Sequence, residues 1–148
     1  AVALGSNLGN RHARIAEAIT ELHTIVDGLV CSTVIETEPV GVDPQPLFLN
    51  AVVVGETRLS VRVFFRCMQE IETRLGRERP YAGAPRTIDL DLVLYGDTVV
   101  TEPGLAVPHP RFRERGFVLG PLAEVAPGWR DPVSGRTMAE LYVGLLTA

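Results

Sequence analysis

The run Pro85-Arg86-Thr87-Ile88-Asp89-Leu90-Asp91-Leu92-Val93-Leu94 puts Ile88, Leu90, Leu92 and Leu94 at every second position. That period predicts a strand with those four side chains on one face, buried against a core. The other face carries Asp89 and Asp91, with Val93 and Tyr95 beyond. Side chains two apart on a strand stand roughly 6–7 Å from each other. Carboxylates at that spacing repel, so the pair is either a solvated acidic face or a cation site. Mg2+ suits such a pair, because it accepts one or two carboxylates and takes its other ligands from water and substrate phosphates. Arg86 adds positive charge at the same end of the strand.

Charge narrows the chemistry. The net charge is −4, which argues against general attraction to nucleic acid or an anionic membrane. All 14 basic residues are arginine. Without lysine, a Walker-type phosphate loop and Schiff-base chemistry are both excluded. Half of the arginines lie between Arg74 and Arg115 (Arg74, Arg77, Arg79, Arg86, Arg111, Arg113 and Arg115), around the two aspartates. An anion bridged to the carboxylates by metal fits that mixture of signs.

A length of 148 residues suits one domain over 1–148 with a full core. Apolar residues make up 46% and charged residues 22%, ordinary for a soluble protein. No run is long and apolar enough for a membrane span, and no signal peptide opens the chain. Cys31 and Cys67 lie apart in apolar segments with no CxxC. Reduced core thiols and a cytoplasmic location are the expectation.

Along the chain, Ala1 to Leu4 reads as a short buried strand. Gly5-Ser6-Asn7-Leu8-Gly9-Asn10 lacks a GxGxxG pattern and reads as a turn, with Asn7 or Asn10 capping a helix over about 11–25. Ile15, Ile19, Leu22 and Val26 share one face of that helix. His12 and His23 are surface residues, with no ligand partner at metal spacing. A strand over 29–37 leads into Glu38-Pro39-Val40-Gly41-Val42-Asp43-Pro44-Gln45-Pro46, a stiff surface loop. In the next strand, 47–57, Phe48 and Asn50 share a face, and a buried Asn needs either a backbone partner or a ligand. Ser60 caps a helix that Gly76 ends near Leu75, with Gln69 and Glu72 on one side of it. A second loop, Gly76 to Pro85, leads to the acidic strand, and Gly96-Asp97 is expected to turn that strand into a hairpin with 98–100. His109 sits between two prolines, held either as a structural turn or against a nucleotide phosphate. A short basic helix or turn follows at 111–117, then a helix over 117–126, and a Thr137/Glu140 capping box opens the last helix. The order is that of a ferredoxin-like α+β fold. A split βαββαβ antiparallel sheet carries helices on one face, with a C-terminal hairpin and helical extension.

Over nearly its whole length the chain resembles the 6-hydroxymethyl-7,8-dihydropterin pyrophosphokinases of folate biosynthesis. The resemblance is carried by Gly5-Ser6-Asn7-Leu8, Thr37 with Pro39 and Gly41, Phe48-Leu49-Asn50-Ala51, Gly76-Arg77-x-Arg79, Pro85-Arg86-Thr87-Ile88-Asp89-Leu90-Asp91, Val107-Pro108-His109 and Arg115-Gly116-Phe117. The order and spacing of these anchors make it specific. It implies a transferase that moves the terminal pyrophosphate of ATP onto the hydroxymethyl group of the pterin and releases AMP. By motif position, Asp89 and Asp91 resemble the ligands of two Mg2+ ions, and Asp89 also contacts the substrate hydroxyl. Phe48 and Phe117 resemble the aromatic pair around the pterin, with Asn50 as its amide partner and Thr37 and Val40 offering backbone groups. Gln69, Glu72, Arg79, Arg86, His109 and Arg115 match the ATP pocket. Arg77 and Arg86 match lid arginines that neutralise charge moving onto the leaving oxygen.

Departures from the family are confined to single places. Tyr81-Ala82-Gly83-Ala84 replaces an Arg-Trp pair in the lid, Phe48 stands where Tyr often occurs, Glu38 replaces a proline, and Pro110 follows His109. The resemblance implies ATP and the hydroxymethyl dihydropterin as small-molecule partners; no nucleic acid or membrane partner is expected, and a monomer is the expectation. A ligand-binding module with a decayed lid is the alternative that the fold alone permits. An RNA-binding sheet is disfavoured by the acidic charge and the lack of repeated exposed aromatics on a strand.

Overall fold

A computed structural model describes residues 1–7, 9–38, 47–76 and 88–148. Four expected site residues, Val40, Arg77, Arg79 and Arg86, lie outside the described residues, as does 85–87 at the start of the acidic strand. The elements in chain order are β1 (Val2–Ser6), α1 (Arg11–Leu22), β2 (Asp27–Cys31), β3 (Ile35–Thr37), β4 (Phe48–Glu56), α2 (Val61–Leu75) and β5 (Asp89–Leu92). They are followed by β6 (Val100–Glu102), β7 (Leu105–Val107), a 3-10 helix (Phe112–Glu114), α3 (Gly116–Val125) and α4 (Met138–Leu146). The strands β2, β4, β1 and β5 lie side by side in that order, β3 also pairs with β4, and every pairing is antiparallel.

Helix starts follow the expected caps. Asn10 Oδ1 accepts the Ala13 N–H at 3.1 Å, Ser60 Oγ accepts the Val63 N–H at 3.3 Å, and Thr137 and Glu140 exchange bonds at 3.1 and 3.0 Å. α1 and α2 share one face of the sheet. There Ile15, Leu22, Phe64, Met68 and Ile71 pack on Leu4, Leu49, Val53, Ile88, Leu90 and Leu92. α3 and α4 cover the opposite face, where Leu119, Leu122 and Met138 pack on Ala3, Val52, Val54 and Val93. Ala51-Val52-Val53-Val54 explains the second layer. Apolar residues in succession point to both sides of β4, so neither face can stay wet.

The expected strand over 29–37 is two strands. At the break, Ser32 Oγ accepts the Val52 N–H at 2.9 Å, replacing a ladder bond with a side-chain bond. Thr33 leaves the sheet to donate its N–H and hydroxyl to Glu124 of α3, at 2.9 and 2.7 Å. The expected hairpin is also displaced. Gly96, at φ +54°, does make a turn, with Thr98 N–H on Tyr95 C=O at 3.0 Å. However, β6 pairs with β7 across Pro103-Gly104, with Gly104 at φ +82°, and not with β5. The outer edge of β5 is already taken: Glu72 accepts the Leu90 N–H at 2.8 Å and Val93 C=O accepts the His109 N–H at 2.9 Å. Alternation along β5 holds to Val93 and then slips. Leu94 joins Val93 in the second core, while Tyr95 packs into the first, edge-on to Phe64 with ring centroids 6.5 Å apart. The Tyr95 hydroxyl, which donates to the Leu59 carbonyl, draws it there. Cys31 and Cys67 are free thiols, half-buried rather than in the core, and burial with the nearby Glu124 pushes the Cys31 thiol up.

Candidate active site

Three neighbouring strands make the floor of a cleft. The register sets Asn50 beside Gly5 and Gly5 beside Asp89; in the next row Val52 lies beside Ala3 and Ala3 beside Asp91. Cross-strand partners share a face, so Asn50, Asp89 and Asp91 point the same way. Asn50 and Asp89 are separated by one strand, on the order of 10 Å. Gly5 leaves the middle of its row without a side chain. A Cβ there would stand 3.3 Å from Asn50 Oδ1 and 3.7 Å from Phe48 Cδ1.

The start of α3 stands over this floor. Arg115, Gly116, Phe117 and Val118 join Thr37, Glu38, Phe48, Asn50, Asp89, Asp91, Arg111 and Glu114 around a cleft of about 710 Å3. That is within the range of small-molecule sites. Asn50, almost fully buried, donates from Nδ2 to Thr37 Oγ1 at 2.5 Å, which fixes the plane of the amide. The Arg115 guanidinium lies 5.7 Å from the centre of the Phe117 ring, close enough for a cation–π contact that steadies both. The cleft therefore combines aromatic faces, an oriented amide, four carboxylates and two guanidinium groups. It can hold a flat polar ring, a hard cation and an anion side by side.

Beyond β5 lie the contacts already noted at its outer edge. His109 Nδ1 accepts the Arg111 N–H at 3.1 Å, so the neutral ring carries its proton on Nε2 and offers that nitrogen as a donor. Burial, then the Arg115 and Arg111 charges, lower the His109 pKa below its ordinary 6.5. Glu72 is half-buried on the Leu90 N–H, and Gln69 is exposed on the same helix.

A family model described as 7,8-dihydro-6-hydroxymethylpterin-pyrophosphokinase (HPPK) matches residues 1–127. The chain belongs to the HPPK family. It is 40% identical over 143 residues to the 2-amino-4-hydroxy-6-hydroxymethyldihydropteridine pyrophosphokinase of Synechocystis sp., covering 95% of this chain and 72% of that protein. The Bacillus subtilis pyrophosphokinase of the same name is 42% identical over 126 residues, covering 84% of this chain and 75% of the relative. The crystal structure of Plasmodium falciparum HPPK-DHPS with SDX-DHP superposes with a TM-score of 0.73 at 15% identity, over 99% of this chain and 43% of that one, a likeness of fold.

Set against the HPPK resemblance, the structure brings Thr37, Phe48, Asn50, Asp89, Asp91, Arg115 and Phe117 into one cleft. It sets Glu72 and His109 against the outer edge of β5, outside the cleft lining, and leaves Gln69 on the exposed side of α2. Glu38, Arg111 and Glu114 line the cleft without having been expected there. The arginine cluster was a signal for Arg111. Glu38 was marked only as a departure from a family proline, and nothing local marked Glu114, whose place depends on where the 3-10 helix packs against the sheet.

Proposed function

We propose that the chain transfers the terminal pyrophosphate of ATP to the hydroxymethyl group of 6-hydroxymethyl-7,8-dihydropterin, releasing AMP, as a step of folate biosynthesis. The observation that carries this reading is the pair Asp89 and Asp91 facing the same cleft as Phe48, Asn50 and Phe117. A planar heterocycle needs apolar faces and polar groups at its edge. Phe48 and Phe117 supply the faces. Asn50 and Thr37, with Val40 in the neighbouring loop, supply the edge.

The donor set fits Mg2+. Among the described residues no cluster of three or more His, Cys, Asp or Glu could hold a metal, so Asp89 and Asp91 form a two-carboxylate set. That suits a cation whose remaining ligands are water and phosphate. Asp89 and Asp91 would hold two Mg2+ ions, which supply charge neutralisation at the attacking and leaving oxygens. The substrate hydroxyl oxygen loses its proton to solvent and forms a bond to the β-phosphorus as the bond from that phosphorus to the α-phosphate oxygen breaks. Asp89 contacts the hydroxyl. His109 donates from Nε2 to phosphate, Arg115 adds charge from the cleft side, and Gln69, Glu72 and Arg79 complete the nucleotide pocket. Arg77 and Arg86 close over the phosphates and oppose the charge that develops on AMP. No residue acts covalently.

The strand order β5-β1-β4, ending in β2 and β3 together, is read as the ferredoxin-like split βαββαβ arrangement. Residues 1–148 are read as a single pyrophosphokinase domain acting as a monomer in the cytoplasm, on small molecules and on neither nucleic acid nor membrane. Among the described residues no helix is long and apolar enough to cross a membrane. The test is AMP formation from ATP with purified protein, Mg2+ and the hydroxymethyl dihydropterin. AMP at the level of a control without pterin would overturn the proposal.

A further inference from the structure

We infer that Asp131 is a positioning residue for the nucleotide: by holding the middle one of three alternate arginines, it aims the two flanking ones at the cleft. The inference rests on the reading of that cleft as a phosphate-transfer site. Arg111, Arg113 and Arg115 occupy alternate positions around the 3-10 helix. Arg111 and Arg115 line the cleft. Arg113 turns the other way, and its Nε and Nη2 donate to Asp131 Oδ2 and Oδ1 at 2.5 and 2.7 Å.

Asp131 is fully buried. Its carboxylate also accepts the Ser134 hydroxyl at 2.8 Å and the Val133 N–H at 3.0 Å. Hydrogen bonding from Arg113, then from Ser134 and Val133, holds the carboxyl well below the usual carboxylate range. Between the two cleft-facing arginines, Phe112 is fully buried, with the Arg113 guanidinium 4.6 Å from its ring centre. One side of the 3-10 helix is thus anchored twice, by an apolar ring and by a forked ion pair. The chain enters α3 directly from this anchor, at Arg115.

Two physical points favour a directional role over a purely stabilising one. A buried ion pair is weak evidence for stability, because apolar replacements of similar volume are often no worse. A bidentate guanidinium–carboxylate pair does fix orientation, since two parallel bonds remove the rotation that one leaves. In addition, three guanidinium groups within five residues repel each other. Arg111 is paired with Glu114 at 2.8 Å, so neutralising the middle one and turning it inward leaves Arg115, with Arg111 held beside it by Glu114, on the side where phosphate charge arrives.

The test is equilibrium binding of Mg2+ with α,β-methylene ATP, a nucleotide that resists transfer, measured by calorimetry on wild type and Asp131→Asn. Expected is a loss of nucleotide affinity of roughly tenfold, the size of one charge-assisted hydrogen bond. Pterin affinity should stay within about twofold and the ATP KM should rise more than kcat falls. Arg113→Lys, which keeps the charge and loses the fork, should fall between the two. It also serves as the test if Asp131→Asn does not fold. Nucleotide affinity within twofold of wild type in a folded variant, or equal losses for nucleotide and pterin, would overturn the inference. A wild type that binds the analogue but forms no AMP would sink the proposed reaction and leave the role of Asp131 standing.

Discussion

Replacing Gly5 with alanine puts one methyl group into the middle of the cleft floor. Its carbon would lie 3.3 Å from Asn50 Oδ1 and 3.7 Å from Phe48 Cδ1. The second distance is ordinary contact; the first requires the amide to give way by a few tenths of an ångström. Gly5 is not among the positive-φ glycines, so the backbone accepts alanine. Reduced freedom of the unfolded chain then favours the variant by about 0.4–1 kcal/mol. Overpacking acts against it by about 1–3 kcal/mol when the neighbours are rigid. Asn50 borders open space in the cleft and can move, so the two effects should leave stability within about 1 kcal/mol of wild type. Binding should not escape so lightly. The amide plane is set by the 2.5 Å bond to Thr37 Oγ1, and displacing it sacrifices a hydrogen bond to the ring. That loss is about 1–1.5 kcal/mol, or roughly tenfold in affinity. The methyl group also lifts a flat ring from the floor, which adds to the loss. AMP formation at varied concentrations of each substrate should show a pterin KM raised roughly tenfold or more and an ATP KM within about twofold. A pterin KM unchanged within twofold, in a variant that melts like wild type, would show that the ring does not lie over Gly5.

Asp91→Ala should lower turnover more than about a hundredfold while circular dichroism and melting stay close to wild type; near-normal turnover would contradict the metal assignment. Ser32→Ala leaves the buried Val52 N–H without the acceptor it has at 2.9 Å, so denaturant unfolding should show a loss of about 1–3 kcal/mol with unchanged KM values. A loss below a few tenths would mean that the β2–β3 break is held by other contacts. His109 has its folded pKa lowered from 6.5, first by burial and then by Arg115 and Arg111. The unfolded chain therefore takes up a proton first as pH falls, and this contribution to stability is present above pH 6.5 and lost as pH falls through the folded value. Melting curves of wild type should fall relative to His109→Gln in that window, and a difference independent of pH would refute the assignment.

Local rules carried much of this protein. Period two set Asp89 and Asp91 opposite Ile88, Leu90 and Leu92, and placed Phe48 with Asn50. Asn10, Ser60 and Thr137 announced helix starts, because a cap needs only a few neighbouring residues. Such features depend on backbone geometry within one element, and sequence spacing reports that geometry directly. Family resemblance added the identity of the ring and the nucleotide. Contacts between elements were not legible in this way. Which strand β6 joins depends on whether the edge of β5 is free, and that edge is occupied by Glu72 from α2 and by His109 from a later loop. The departure of Tyr95 from strand alternation depends on the Leu59 carbonyl, 36 positions earlier. The partnership of Arg113 with Asp131 likewise spans 18 positions that no periodicity links. Residue order alone therefore determined which side chains point together within a strand or helix. Tertiary structure decided which of those faces meet, because a hydrogen bond or ion pair between distant segments is chosen by what packing leaves unoccupied.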